Sequence, residues 1–190
     1  MRLFSLAAAT VIAAAVTFAG PALAALAVGA KAPVFTTKAS LAGKPFDFAL
    51  ASALKKGPVV LYFFPAAFTP GCTVEANAFA EATDDFASMG ATVIGMSNDP
   101  IEKLNEFSVK ECRNKFAVGV ADKALIEKYD VPLALMPGRS NRTSYVIAPD
   151  GKIIFVHSEM APKGHITGTM AAVKTWHAAH AGTKGTKGTK

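Results

Sequence analysis

The run Val59-Val60-Leu61-Tyr62-Phe63-Phe64, closed by Pro58 on one side and Pro65 on the other, is the strongest constraint on how this chain can fold. An apolar run of this length, bounded by prolines, predicts a buried strand. The residues beyond Pro65 are equally directive. Thr69-Pro70 is a helix start, a hydroxyl at the N-cap position with proline at the first helical position. Val74, Ala78, Phe79, Ala82, Phe86 and Met89 then recur at helical spacing over residues 73–89, and Gly90 stops the run. Cys72 therefore falls at the third helical position, beside the Thr69 hydroxyl and among backbone N–H groups that have no partner within the helix. Both surroundings favour thiolate over thiol, and the thiolate is the nucleophile.

The rest of the chain alternates in the same way. A short strand is expected at 46–48 in an N-terminal hairpin region, and a buried strand at 91–97. Asp99-Pro100 predicts a second helix, Asp99 as N-cap, running through Leu104, Phe107 and Val109 towards Cys112. Residues 116–120 precede a short helix at 123–129. Strands at 144–147 and 152–158 flank the turn Pro149-Asp150-Gly151. A helix over 166–180 closes the domain, with Met170, Val173 and Trp176 on one face. Strand-helix-strand-helix, then a hairpin and a last helix, predicts an α/β sandwich.

The two ends are expected to lie outside this domain. Arg2, an apolar run from 3 to 18, and Ala22-Leu23-Ala24 after Gly20-Pro21 have the layout of a secretory signal cleaved after residue 24, rather than of a retained membrane anchor. A single arginine at the start does not indicate a twin-arginine route, and the expected location is periplasmic or otherwise exported. Residues 182–190 repeat Gly-Thr-Lys three times, have nothing apolar to bury, and read as a disordered, solubilising tail. Setting aside Arg2 and the three tail lysines lowers the formal charge from +6 to +2. The basic balance is therefore a property of the ends, which argues against a nucleic-acid groove.

Two cysteines remain, Cys72 and Cys112. In an exported protein a lone pair can be a structural brace. Cys72, set behind Thr-Pro-Gly at a helix start, argues against that. The absence of Cys-x-x-Cys removes the ordinary disulfide-reductase reading. His177 and His180 share a helical face, while His157 and His165 fall in the hairpin region. No cysteine or acid joins them at ligand spacing, so no metal is expected, nor any cofactor.

The spacing Pro65-x-x-x-Thr69-x-x-Cys72, extended as Phe68-Thr69-Pro70-Gly71-Cys72-Thr73-Val74-Glu75-Ala76, resembles the peroxidatic signature of the peroxiredoxins, in their bacterioferritin-comigratory or peroxiredoxin Q branch. The likeness extends from about residue 28 to about residue 179 and includes Gly29-Ala30-Lys31-Ala32-Pro33 and Arg142-Thr143-Ser144-Tyr145-Val146-Ile147. It implies a thioredoxin-like α/β fold, a central mixed sheet with helices on both faces, and a peroxidase that reduces hydrogen peroxide or organic hydroperoxides, is recycled by a thioredoxin-like or other dithiol reductant, and is monomeric. By the same resemblance Cys72 is the peroxidatic sulfur, Thr69 contacts the peroxide, Pro65 shields the pocket, and Arg142 is the fixed cation. Arg139 does not match the pattern and reads as a solvated loop charge. Glu75 either orients the arginine or is a first-turn acid favoured by the helix dipole. In the best-known members the thiol that resolves the oxidised cysteine lies five residues further on, where this chain has Asn77. Other members carry it on the later helix, which makes Cys112 the candidate, with a packed thiol and an external resolver as the alternative. Two readings outside peroxide chemistry are a thiol–disulfide exchange protein and a binding module braced by Cys72–Cys112.

Overall fold

The run between the prolines becomes a strand whose five residues are all buried, and the other elements are laid out around it. The computed structural model describes residues 25–181, and the expected signal segment and basic tail lie outside the described residues. The order is β1 (Thr36–Leu41), β2 (Lys44–Ala49), α1 (Leu50–Leu54), β3 (Val59–Phe63), α2 (Pro70–Ser88), β4 (Thr92–Ser97), α3 (Ile101–Lys110), β5 (Ala117–Val120), α4 (Lys123–Lys128), β6 (Thr143–Ile147), β7 (Ile153–Ser158) and α5 (His165–His180).

The strands form one sheet in the order β2-β1-β5-β4-β3-β6-β7. β3, β4 and β5 are parallel neighbours, and α2 and α3 supply the crossovers that parallel pairing requires. The β1–β2 and β6–β7 hairpins extend the sheet antiparallel on its two sides. Side-chain alternation along β3 divides the core in two. Val59, Leu61 and Phe63 pack with Ile94, Met96, Tyr145 and the side chains of α1 and α4. Val60, Tyr62 and Phe64 pack with Phe79, Phe86, Leu104, Phe107 and Val173, on α2, α3 and α5. The mixed sheet therefore has helices on both faces, as the resemblance implies.

Register decides where the chemistry sits. Phe63 pairs with Thr143 in the antiparallel β3–β6 ladder, so Arg142 lies level with the end of β3, from which the chain turns into α2. The parallel neighbour β4 ends at the same edge, with Ser97, and delivers Asp99 there.

Three local expectations are corrected. β1 and α1 form where only 46–48 is expected as strand. β1 is stabilised by pairing with β2 and with β5, which is remote in sequence, and α1 buries Leu50, Ala53 and Leu54. Asp99 does not cap α3: Pro100 is the N-cap and makes no side-chain bond, because the Asp99 carboxylate is used elsewhere. α3 stops at Lys110, and Cys112 lies in the turn beyond it, followed by Arg113 and Asn114 in the left-handed region (φ 52° and 61°).

Candidate active site

Cys72 is the third residue of α2 and is only 1% exposed. The backbone of Thr69 is extended, as an N-cap requires, but its hydroxyl caps nothing; it donates to the Ala66 carbonyl at 3.0 Å. The expected bond from the Cys72 N–H to the Thr69 hydroxyl is thus absent, and the helix closes through its backbone, Thr73 N–H donating to the Thr69 carbonyl at 2.9 Å. Thr69 itself is exposed at the mouth of the site.

Arg142, immediately before β6, reaches the sulfur. Its Nη2 donates to Cys72 Sγ at 3.5 Å, its Nε donates to the Met160 carbonyl at 2.9 Å, and its Nη1 is bonded to Glu75 Oε2. The guanidinium is fixed from three directions while being almost fully buried. Burial works against its charge, but Glu75 and Cys72 more than compensate and hold its pKa above the ordinary arginine value. Of the two readings open for Glu75, the geometry favours the orienting one. Its side chain is fully buried against Arg142, and burial pushes its carboxyl up to about 8 even though the guanidinium pulls it down.

Several residues of this site are not anticipated by the motif. Gly71 allows the guanidinium to approach: a Cβ there would lie 3.0 Å from Arg142 Nη2. His165, expected in the hairpin region, is the first residue of α5 and is fully buried behind Glu75, its Nδ1 3.7 Å from Glu75 Oε1. Its Nε2 donates to the Glu159 carbonyl at 2.9 Å, and that leaves Nδ1 to accept from the Ser144 hydroxyl at 2.8 Å. Burial, with His157 and Arg142 nearby, lowers its pKa to about 4 against the favourable Glu159 bond, so the ring is neutral. Arg139 is not the solvated charge expected. It is 30% exposed and donates to Asp99 Oδ1 at 2.9 Å and to the Pro65 carbonyl at 3.4 Å.

Cys112 is fully buried and, like Cys72, a free thiol. Both belong to the same apolar cluster, with Tyr62, Phe79, Phe107 and Phe116. Burial pushes the Cys112 thiol well above its ordinary value, and Glu111 adds to the shift. Where the best-known pattern has its second cysteine, Asn77 donates to Glu111 Oε2 at 3.1 Å and ties α2 to the residue preceding Cys112. Arg113 pairs with Glu81 and Lys115 with Asp84 along the same side of α2. No cluster of three metal-ligating side chains occurs among the described residues.

A sulfur at a helix start, facing a rigidly held cation, suits nucleophilic attack on a bond whose departing atom becomes an anion. Comparison with known proteins points the same way. Residues 28–156 match the AhpC/TSA family. The chain is 31% identical over 148 residues to the chloroplastic peroxiredoxin Q of Sedum lineare, covering 77% of each protein. It is 34% identical over 113 residues to peroxiredoxin Bcp of Escherichia coli K12, covering 56% of this chain and 72% of the relative. The crystal structure of peroxidoxin BcpB from Mycobacterium tuberculosis superposes with a TM-score of 0.67 at 31% identity, over 78% of this chain and 96% of the other.

Proposed function

The chain belongs to the AhpC/TSA family as a thiol-dependent peroxidase with a thioredoxin-like fold, and from that premise we propose that Cys72 is the sulfur that attacks peroxide and Cys112 the thiol that resolves it. The observation that carries the first assignment is the contact between Arg142 Nη2 and Cys72 Sγ at a helix N-terminus. The Cys72 thiolate attacks one oxygen of the peroxide, the S–O bond forms as the O–O bond breaks, and the other oxygen leaves as hydroxide or alkoxide and takes up a proton. Sulfur is oxidised to sulfenic acid and the peroxide is reduced. Arg142 and the N–H groups of the first turn lower the barrier by stabilising the charge on both sulfur and leaving oxygen. Thr69 offers the peroxide a hydroxyl at the site mouth, and Pro65 forms part of the wall that keeps bulk water from the sulfur.

Resolution occurs when Cys112 attacks the Cys72 sulfenic sulfur, forming S–S and expelling hydroxide, which leaves as water. A thioredoxin-like dithiol then reduces the bond. The Cys112 turn is suited to this because half-exposed polar pairs, each worth roughly 0–1 kcal/mol, are what fasten its charged residues to α2. We further propose, from the pattern in residues 1–24, that the protein is exported, and, from its likeness to the peroxiredoxin Q branch, that it acts as a monomer. The sequence of its N-terminus in a periplasmic fraction tests the first point, and sedimentation tests the second.

The decisive experiment is Cys72→Ser. Peroxide consumption is expected to vanish while the circular dichroism spectrum and unfolding midpoint are retained, because a hydroxyl fills the space of the thiol without its nucleophilicity. A variant that kept more than a small fraction of the rate would rule the assignment out.

A further inference from the structure

Residues 64–69 join β3 to the helix that carries Cys72, and three side chains from elsewhere in the fold hold them. Ser140 Oγ donates to the Phe64 carbonyl at 3.0 Å, Arg139 Nη1 donates to the Pro65 carbonyl at 3.4 Å, and the Ala67 N–H donates to Asp99 Oδ2 at 2.7 Å. Asp99 is the centre of this arrangement. Its carboxylate also accepts from Ser97 Oγ at 2.8 Å, Arg139 Nη1 at 2.9 Å and Lys103 Nζ at 3.1 Å. The Asp99 side chain is 2% exposed. Burial works against its charge, but the donors around it prevail and hold its carboxyl below the ordinary range. A buried anion satisfied from four sides is a rigid joint. The segment it fixes needs one, because Phe68 sits at φ 67° and the Thr69 hydroxyl is turned back onto the Ala66 carbonyl.

We propose that Asp99 and Arg139 are a positioning pair for the peroxide reaction, holding residues 65–67, and with them Thr69, in register with the sulfur. This rests on reading Cys72 as the attacking sulfur. Arg142 is the guanidinium bonded to Cys72, whereas Arg139 bonds Asp99 and the loop backbone. The pair therefore governs where peroxide is held, and Arg142 governs the charge on the sulfur. The two roles separate experimentally, because alkylation needs only an accessible thiolate while peroxide attack also needs an aligned O–O bond.

Arg139→Ala, Asp99→Asn and the double variant are to be treated with hydrogen peroxide and, separately, with iodoacetamide across a range of pH. The second-order rate with peroxide is expected to fall about ten- to a hundredfold, as for a reacting group displaced by about 1 Å. The rate and pH profile of Cys72 alkylation should stay within about twofold of wild type. The double variant should be no slower than the slower single, since both act through one link. Arg139→Lys should recover part of the loss. A peroxide rate within about twofold of wild type in Arg139→Ala would overturn the proposal, and so would alkylation falling in parallel with the peroxide rate. Should Asp99→Asn fail to fold, Arg139→Ala decides alone, its side chain being 30% exposed. Residual peroxide consumption by Cys72→Ser would remove the premise and leave the pair's link to the loop standing.

Discussion

At the scale of single residues, one missing methyl group sets how closely cation and sulfur approach. Gly71 leaves the space that Arg142 Nη2 occupies, and the guanidinium has little freedom to retreat because Met160 and Glu75 hold its other two nitrogens. Arg142→Ala is therefore expected to slow peroxide attack by about 10²- to 10³-fold, the usual cost of a lost charge-stabilising donor. It should also slow Cys72 alkylation, because the sulfur loses the guanidinium that donates to it. Arg142→Lys should not restore either quantity, since an ammonium has no planar fork to satisfy three fixed partners at once. An unchanged alkylation rate in Arg142→Ala would assign the charge-stabilising role elsewhere. Cys72 and Arg142 are legible in the sequence because each lies in a contiguous string that meets the other at the edge of one strand pair. Arg139 and Asp99 are not legible in this way. They are 40 positions apart, their pairing depends on the sheet bringing two loops to one edge, and Asp99-Pro100 reads locally as an ordinary helix start. His165 is hidden for the same reason: nothing in its neighbours indicates that it will be buried against Ser144 and Glu75.

At the scale of elements, α2 and the turn after α3 carry the two cysteines, and three polar links join them: Asn77–Glu111, Glu81–Arg113 and Asp84–Lys115. Cys112→Ser should leave the first attack intact, because the sulfur and its donors are untouched. It should then accumulate sulfenic acid and, with excess peroxide, sulfinic acid at Cys72. Wild type under the same treatment is expected to give an intramolecular Cys72–Cys112 peptide on non-reducing mapping. Free Cys112 together with Cys72 sulfinate would instead mean an external resolving thiol. The elements themselves are legible where a periodic apolar run is long, as in β3, α2 and β4, and where turn chemistry is explicit, as at Asp150-Gly151. They are not where stability comes from remote partners: β1 is polar along much of its length and is a strand because β2 and β5 flank it, and α1 is five residues long.

At the scale of the whole molecule, two buried groups shape how stability varies with pH. His165 is neutral when folded, with a pKa near 4 against about 6.5 for the free side chain, so the unfolded chain binds a proton that the fold refuses. As pH falls from about 6.5 towards 4 this removes stability, by as much as roughly 3 kcal/mol. Glu75 acts in the opposite sense. Its folded pKa of about 8 lies above the value of 4.5 expected in solution, so the fold holds a proton that the unfolded chain releases, and stability falls as pH rises through that interval. Urea midpoints measured across pH should show a flattened acid limb in His165→Gln and a flattened alkaline limb in Glu75→Gln. The burial of both cysteines has a thermodynamic consequence as well. In the reduced protein the two thiols are part of one apolar cluster, 1% and 0% exposed. To the extent that the proposed bond between Cys72 and Cys112 disturbs that packing, the free energy that folds the reduced chain opposes the oxidised one. Linkage turns the opposition into a reduction potential: whatever stability the fold loses on oxidation appears as added oxidising power, about 30 mV for each 1.4 kcal/mol. The same packing that keeps the thiols out of water would thus make the proposed disulfide a stronger oxidant of the next dithiol.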